Sequence, residues 1–77
     1  MKYPSEKDSL KCLGKKVVSL RKVKGVSQSD LCYEIDIDLS TLSRLERGIL
    51  NVTHNTLYKI AKYFKITIKD LFDSKYD

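Results

Sequence analysis

Val26-Ser27-Gln28-Ser29-Asp30-Leu31 and, a short way on, Thr41-Leu42-Ser43-Arg44-Leu45-Glu46-Arg47-Gly48 read as two short helices joined by a tight turn. Ser27 with Asp30 three residues later has the form of a capping box, and Leu31 with Ile35 supplies an inward apolar stripe that ends near Asp36. Asp38 offers a fresh N-cap for the next helix. Leu42 and Leu45 form that helix's inward stripe, and Gly48 suits the left-handed position that follows a helix. At about 100° per residue, Ser40, Ser43, Arg44 and Arg47 fall within one arc of about 100° opposite the two leucines. Such an arc on its own is the ordinary solvated face of a helix. Its serine and arginine content is also the chemistry that reads base edges in a major groove.

Working outward, Leu10, Leu13, Val17 and Leu20 recur at helical spacing, so Ser9 is expected to cap a first helix that ends near Gly25. Thr53 can cap a fourth helix, in which Leu57, Ile60, Ala61 and Phe64 keep the i, i+3, i+4, i+7 pattern. Thr67 with Asp70 forms a second capping-box candidate and opens a short fifth helix that buries Ile68 and Leu71, with Phe72 a further candidate. The expectation is an all-α, five-helix domain over 9–73 with no strand pattern. A flexible arm (1–8) precedes it and a short tail (74–77) follows. On the first helix Arg21 falls beside Leu10 and Val17, on the buried side, and therefore needs an acidic partner. Glu46, at the inward edge of the third helix, is the candidate for that structural ion pair.

At 77 residues the chain has room for one small core and not for a large enclosed active site. Lys and Arg number 15 against 10 Asp and Glu, and the net charge of +5 suits a polyanion. A basic domain kept dispersed by its charge has the same composition. Cys12 and Cys32 share no ligand spacing with the single His54, which argues against a metal site and against a disulfide framework. No nucleophile with a base and no glycine-rich phosphate loop is evident, so no enzyme activity and no cofactor is expected. His54 reads as a solvated residue or a neighbour of phosphate. No apolar run is long enough to span a membrane, and a cytoplasmic protein is expected. The tyrosines are not interleaved with basic residues on one face, which favours double-stranded over single-stranded nucleic acid.

Leu20-Arg21, Val26 to Leu31, Leu42 to Gly48 and Leu57-Tyr58-Lys59-Ile60-Ala61 occur in the order and spacing of a known domain. From Gly14 to Phe72 the chain resembles the lambdoid phage repressor and Cro type of helix-turn-helix, the Xre family. The resemblance implies a repressor-like domain whose second and third helices form the motif. It places Leu39, Ser40 and Arg44 at base edges, with Thr41 assisting. Gln28, Ser43, Arg47, Asn51 and Thr53 would lie at the sugar-phosphate backbone, Thr53 having an equal claim to a pure capping role. Arg21 and Glu46 match the family's buried ion pair. Arg44 can donate two hydrogen bonds to guanine, Ser40 can pair with several bases, and Leu39 can cover a thymine methyl.

Two departures stand out. Asp36 occupies the turn position where the family usually has glycine, and with Glu34 and Asp38 it adds negative charge beside the reading edge. Cys32 stands where alanine is usual and reads as packing. The family binds as two-fold dimers on palindromic operators, and Tyr63, Ile66, Ile68 and Phe72 are the expected seam because one small core cannot absorb them all. The leading function is a sequence-specific transcription regulator. It would act through its own concentration or by contacting RNA polymerase, as do the controller proteins of restriction-modification systems, which the loop Gly48 to Val52 also resembles. The alternative is a protein-interaction module, antitoxin-like or recruiting, built on the same fold.

Overall fold

Local sequence sets the helix ends. In the computed structural model, which describes residues 6–49 and 52–73, the order is α1 (Glu6–Lys24), α2 (Gln28–Ile35), α3 (Leu39–Glu46), α4 (His54–Phe64) and α5 (Ile68–Leu71). Among the described residues there is no strand. Both expected capping boxes are formed. Ser27 Oγ accepts from the Asp30 N–H at 3.0 Å while Asp30 Oδ2 accepts from the Ser27 N–H at 3.2 Å. Thr67 and Asp70 repeat the exchange, both bonds being 3.1 Å. Thr53 Oγ1 accepts from the Thr56 N–H at 3.2 Å and opens α4. Each box satisfies two backbone donors that the first turn otherwise leaves without partners.

One helix start differs from the sequence reading, and one N-cap lacks its side-chain bond. α1 begins at Glu6, so Ser9 lies inside the helix and does not cap it. Glu6, Lys7 and Asp8 contain no breaker, and the apolar periodicity that pointed to Ser9 marks where burial starts rather than where hydrogen bonding starts. The rest of the expected arm, 1–5, and the tail, 74–77, lie outside the described residues. Asp38 is the N-cap of α3 by its extended backbone, φ −72° and ψ 144°, but its side chain makes no capping bond.

The core gathers Leu13 and Val17 of α1, Leu31 of α2, Leu42 and Leu45 of α3, Ile60 of α4 and Leu71 of α5, all almost fully shielded from solvent. Each contributes roughly 1.5 to 3 kcal/mol through removal of apolar surface from water. Cys32 is buried with them, and burial pushes its thiol up from the usual range, with the Glu46 and Asp38 charges adding to the effect. Its burial in the core cluster fits the packing role read from the sequence.

Gly14 sits at a close approach of two helices. A Cβ there would stand 2.5 Å from the Glu46 carbonyl oxygen and 2.8 Å from that of Leu45, so α1 lies backbone against backbone on the end of α3. Asp36 takes the left-handed conformation at φ 57° and ψ 59°, as the turn position requires. Its carbonyl accepts a 3.4 Å hydrogen bond from Lys59 Nζ of α4, which ties the turn to the body of the domain.

Candidate nucleic-acid interface

The edge of α3 is built by opposition. Leu42 and Leu45 are buried, whereas Leu39, Ser40, Arg44 and Arg47 are exposed and Ser43 is half-buried. Leu39, at the first position of the helix, keeps 49 % of its surface in solvent, which is unusual for a leucine beside a core of this size. Arg44 Nε donates to the Ser40 carbonyl and Arg47 Nε to that of Ser43, each at 3.4 Å. The stems of both arginines are thereby laid along the helix. Among the described residues neither guanidinium meets a carboxylate. Their remaining donors are available for guanine or phosphate oxygens.

What holds this edge in place is a buried electrostatic junction. Arg21 Nε lies 2.6 Å from Glu46 Oε2 and Arg21 Nη2 lies 2.9 Å from Glu46 Oε1, a bidentate pair between α1 and α3. The side chains are 14 % and 5 % exposed. Arg21 Nη1 also donates to the Val26 carbonyl at 3.1 Å, which reaches the loop ahead of α2. The hydrogen bond to Glu46 holds the guanidinium further into its charged form. Arg21 and Glu46 therefore stand as the sequence reading placed them.

Gln28 is the first residue of α2, and its Nε2 donates to Glu46 Oε1 at 2.8 Å. The sequence reading gave Gln28 a phosphate and gave Glu46 to Arg21, and it did not join the two. They are eighteen residues apart on different helices, and no local pattern reports such a contact. Thr53 is exposed, and its hydroxyl is engaged in the cap, accepting from the Thr56 N–H and donating to Thr56 Oγ1 at 3.2 Å. Asn51 lies outside the described residues. His54 opens α4 on the surface.

The residues expected at a dimer seam divide. Tyr63, Ile66 and Ile68 are half-buried against this chain's own core, and Tyr63 packs edge-on to Phe64 with ring centroids 5.0 Å apart. Lys24 Nζ sits 4.4 Å from the centre of the Tyr63 ring. Phe72 remains 38 % exposed. The apolar surplus is smaller than the sequence suggests, because Tyr63, Ile66 and Ile68 pack in part against the core of their own chain.

Among the described residues no group of three His, Cys, Asp or Glu is placed to hold a metal ion, and no helix is long and apolar enough to cross a membrane. Two short helices joined by a left-handed turn, with an exposed Ser/Arg edge on the second, define a helix-turn-helix DNA-binding protein. Residues 16–77 match the Cro/C1-type HTH DNA-binding domain, and the chain belongs to that family. It is 38 % identical over 61 residues to the control protein C.BamHI of Bacillus amyloliquefaciens, an alignment covering 78 % of this chain and 75 % of that one. The fold is similar to that of the restriction-modification controller protein C.AhdI from Aeromonas hydrophila, with a TM-score of 0.78 and 32 % identity over 84 % of this chain and 98 % of that chain. It is equally similar to the N-terminal DNA-binding domain of SinR from Bacillus subtilis, with a TM-score of 0.77 and 29 % identity over 84 % and 96 % of the two chains. The protein is a DNA-binding transcriptional regulator of the controller, or Xre, type and not an enzyme.

Proposed function

We propose that the protein controls transcription by binding a palindromic double-stranded operator as a homodimer, with α3 in the major groove of each half-site. The observation that carries this is the exposed Leu39, Ser40 and Arg44 edge on a helix whose other side is locked into the core and tied to α1 by a buried ion pair. A reading edge must be held rigidly to discriminate bases. Arg44 bonds guanine O6 and N7, Ser40 a neighbouring base, and Leu39 packs on a thymine methyl. Gln28, Ser43 and Arg47 grip the sugar-phosphate backbone, with Asn51 and Thr53 extending the grip beyond α3.

Phe72, together with the outer edges of Tyr63, Ile66 and Ile68, forms the seam between copies and places the two α3 helices about 34 Å apart along the duplex. The likeness to controller proteins of restriction-modification systems supports a regulator in the cytoplasm that acts through its own concentration and through contact with RNA polymerase. Selection of bound sites from random duplexes tests the reading directly, because it reports the base sequence and the half-site spacing together. Arg44→Ala is expected to weaken the selected site by about 1 to 3 kcal/mol and to relax preference at one base pair per half-site. Unchanged duplex binding by this variant would favour a protein-interaction role for the fold.

A further inference from the structure

We propose that Glu46 is a positioning residue for DNA binding: its buried carboxylate dictates which atom of the Gln28 amide faces the duplex. The inference rests on the reading above, in which Gln28 meets the phosphate backbone. A glutamine amide carries a donor end and an acceptor end of nearly the same shape, and a free one presents either. Facing a phosphate, only the donor end is useful, because a carbonyl oxygen there repels the anion.

Glu46 removes the ambiguity. An ionised carboxylate only accepts, and Oε1 of Glu46 already accepts from Arg21 Nη2 at 2.9 Å. Gln28 Nε2 is the second donor to the same oxygen, at 2.8 Å. Turning the amide over would put its carbonyl oxygen against that carboxylate oxygen, at a distance where two lone-pair-bearing atoms repel. The amide is therefore fixed with nitrogen on Glu46. One N–H is committed to the carboxylate, and the second N–H remains for a phosphate oxygen. Charge balance does not require this bond, since Arg21 by itself pairs both oxygens of Glu46. Its distinct effect is on Gln28, which is half-buried at the first position of α2 and held in one orientation before any ligand arrives. Such preorganisation lowers the ordering cost of the contact. The last residue of α3 thus sets the phosphate grip at the start of α2, so the reading helix and the gripping helix share one anchor.

The test is a double-mutant cycle on the duplex selected by the wild-type chain. Affinity is measured for wild type, Gln28→Ala, Glu46→Gln and the double variant, with unfolding followed separately so that affinity refers to folded protein. Gln28→Ala is expected to weaken binding about 3- to 10-fold, the effect of one hydrogen bond. Glu46→Gln should weaken it more when Gln28 is present than when Gln28 is alanine, the loss common to both backgrounds coming from the weakened tie to Arg21. An equal loss in both backgrounds, or none in either, overturns the role of Glu46. If no selected duplex is bound by the wild type at all, the DNA-binding reading fails and this role with it.

A second measurement needs no variant to fold. In ¹⁵N–¹H spectra of the wild type, one Gln28 side-chain proton should be displaced downfield and slow to exchange. Duplex addition should then shift the other proton while leaving the first in place. A pair of freely exchanging protons in the unbound protein, or loss of the protected one on binding DNA, overturns the proposal.

Discussion

Substituting Gly14 by alanine sets two physical effects of opposite sign against each other. Gly14 lies inside α1, where helix propensity alone gives Gly→Ala a gain of about 1 kcal/mol. Packing gives the reverse. The new Cβ would stand 2.5 Å from the Glu46 carbonyl oxygen and 2.8 Å from that of Leu45, where ordinary contact begins at 3.4 Å, so α1 and the end of α3 must part by about 0.9 Å. Both obstacles are backbone, and no flexible side chain can yield. Overpacking of this kind costs about 1 to 3 kcal/mol, and rigid neighbours put it at the upper end, leaving a net loss of about 2 kcal/mol after the propensity gain.

For a domain of this size that lowers Tm by about 8 to 16 °C. The displacement falls on Glu46 itself, so the junction with Arg21 and Gln28 is disturbed and duplex affinity should fall as well. Thermal unfolding followed by circular dichroism, together with fluorescence anisotropy on the selected duplex, checks both. A Gly14→Ala protein with a Tm equal to or above wild type would refute the close approach of α1 to α3 as a constraint on this position.

Asp36→Gly should stabilise the protein by about 0.5 to 1 kcal/mol in denaturant titration, because glycine enters the left-handed region without the Cβ penalty, partly offset by its freer unfolded chain. It should also raise duplex affinity by removing a negative charge beside the reading edge. Arg21→Ala strands the Glu46 carboxylate in the core and should cost about 3 to 5 kcal/mol by the same titration. The Asp70 carboxyl is held below its usual range by hydrogen bonds from the Thr67 backbone and hydroxyl, with Lys16 and Lys69 adding to the effect. A depressed carboxylate contributes stability that is complete above its unfolded pKa of about 3.9 and is lost as pH falls through the lower folded value. Asp70→Asn should therefore show a shallower loss of Tm than wild type below about pH 4.

Much of the molecule was legible because much of it is local. A serine or threonine with an aspartate three residues later forms its capping box from atoms within one turn, so Ser27 and Thr67 could be read from the chain alone. The Ser40, Arg44 and Arg47 edge follows from the helical angle, and the family resemblance marks Asp36 as a turn position usually held by glycine, which the structure shows to be left-handed. Arg21 announced a buried partner because it sat among leucines and valines on its helix, and an unpaired charge is too costly there.

Other features have no local cause. Gly14 carries no structural reading in the sequence, and only the crossing of α1 over α3 makes it a contact surface. Tyr63, Ile66 and Ile68 read as surplus in the sequence, and the assembled core takes up part of each of them. Gln28 found Glu46 because packing of α1, α2 and α3 brought three distant side chains to one point. The chain by itself determined the number and order of the helices, both capping boxes and the exposed Ser/Arg edge of α3, since those depend on neighbours three or four residues away. Tertiary structure decided which side chains meet, since distances between helices are set by the whole core at once.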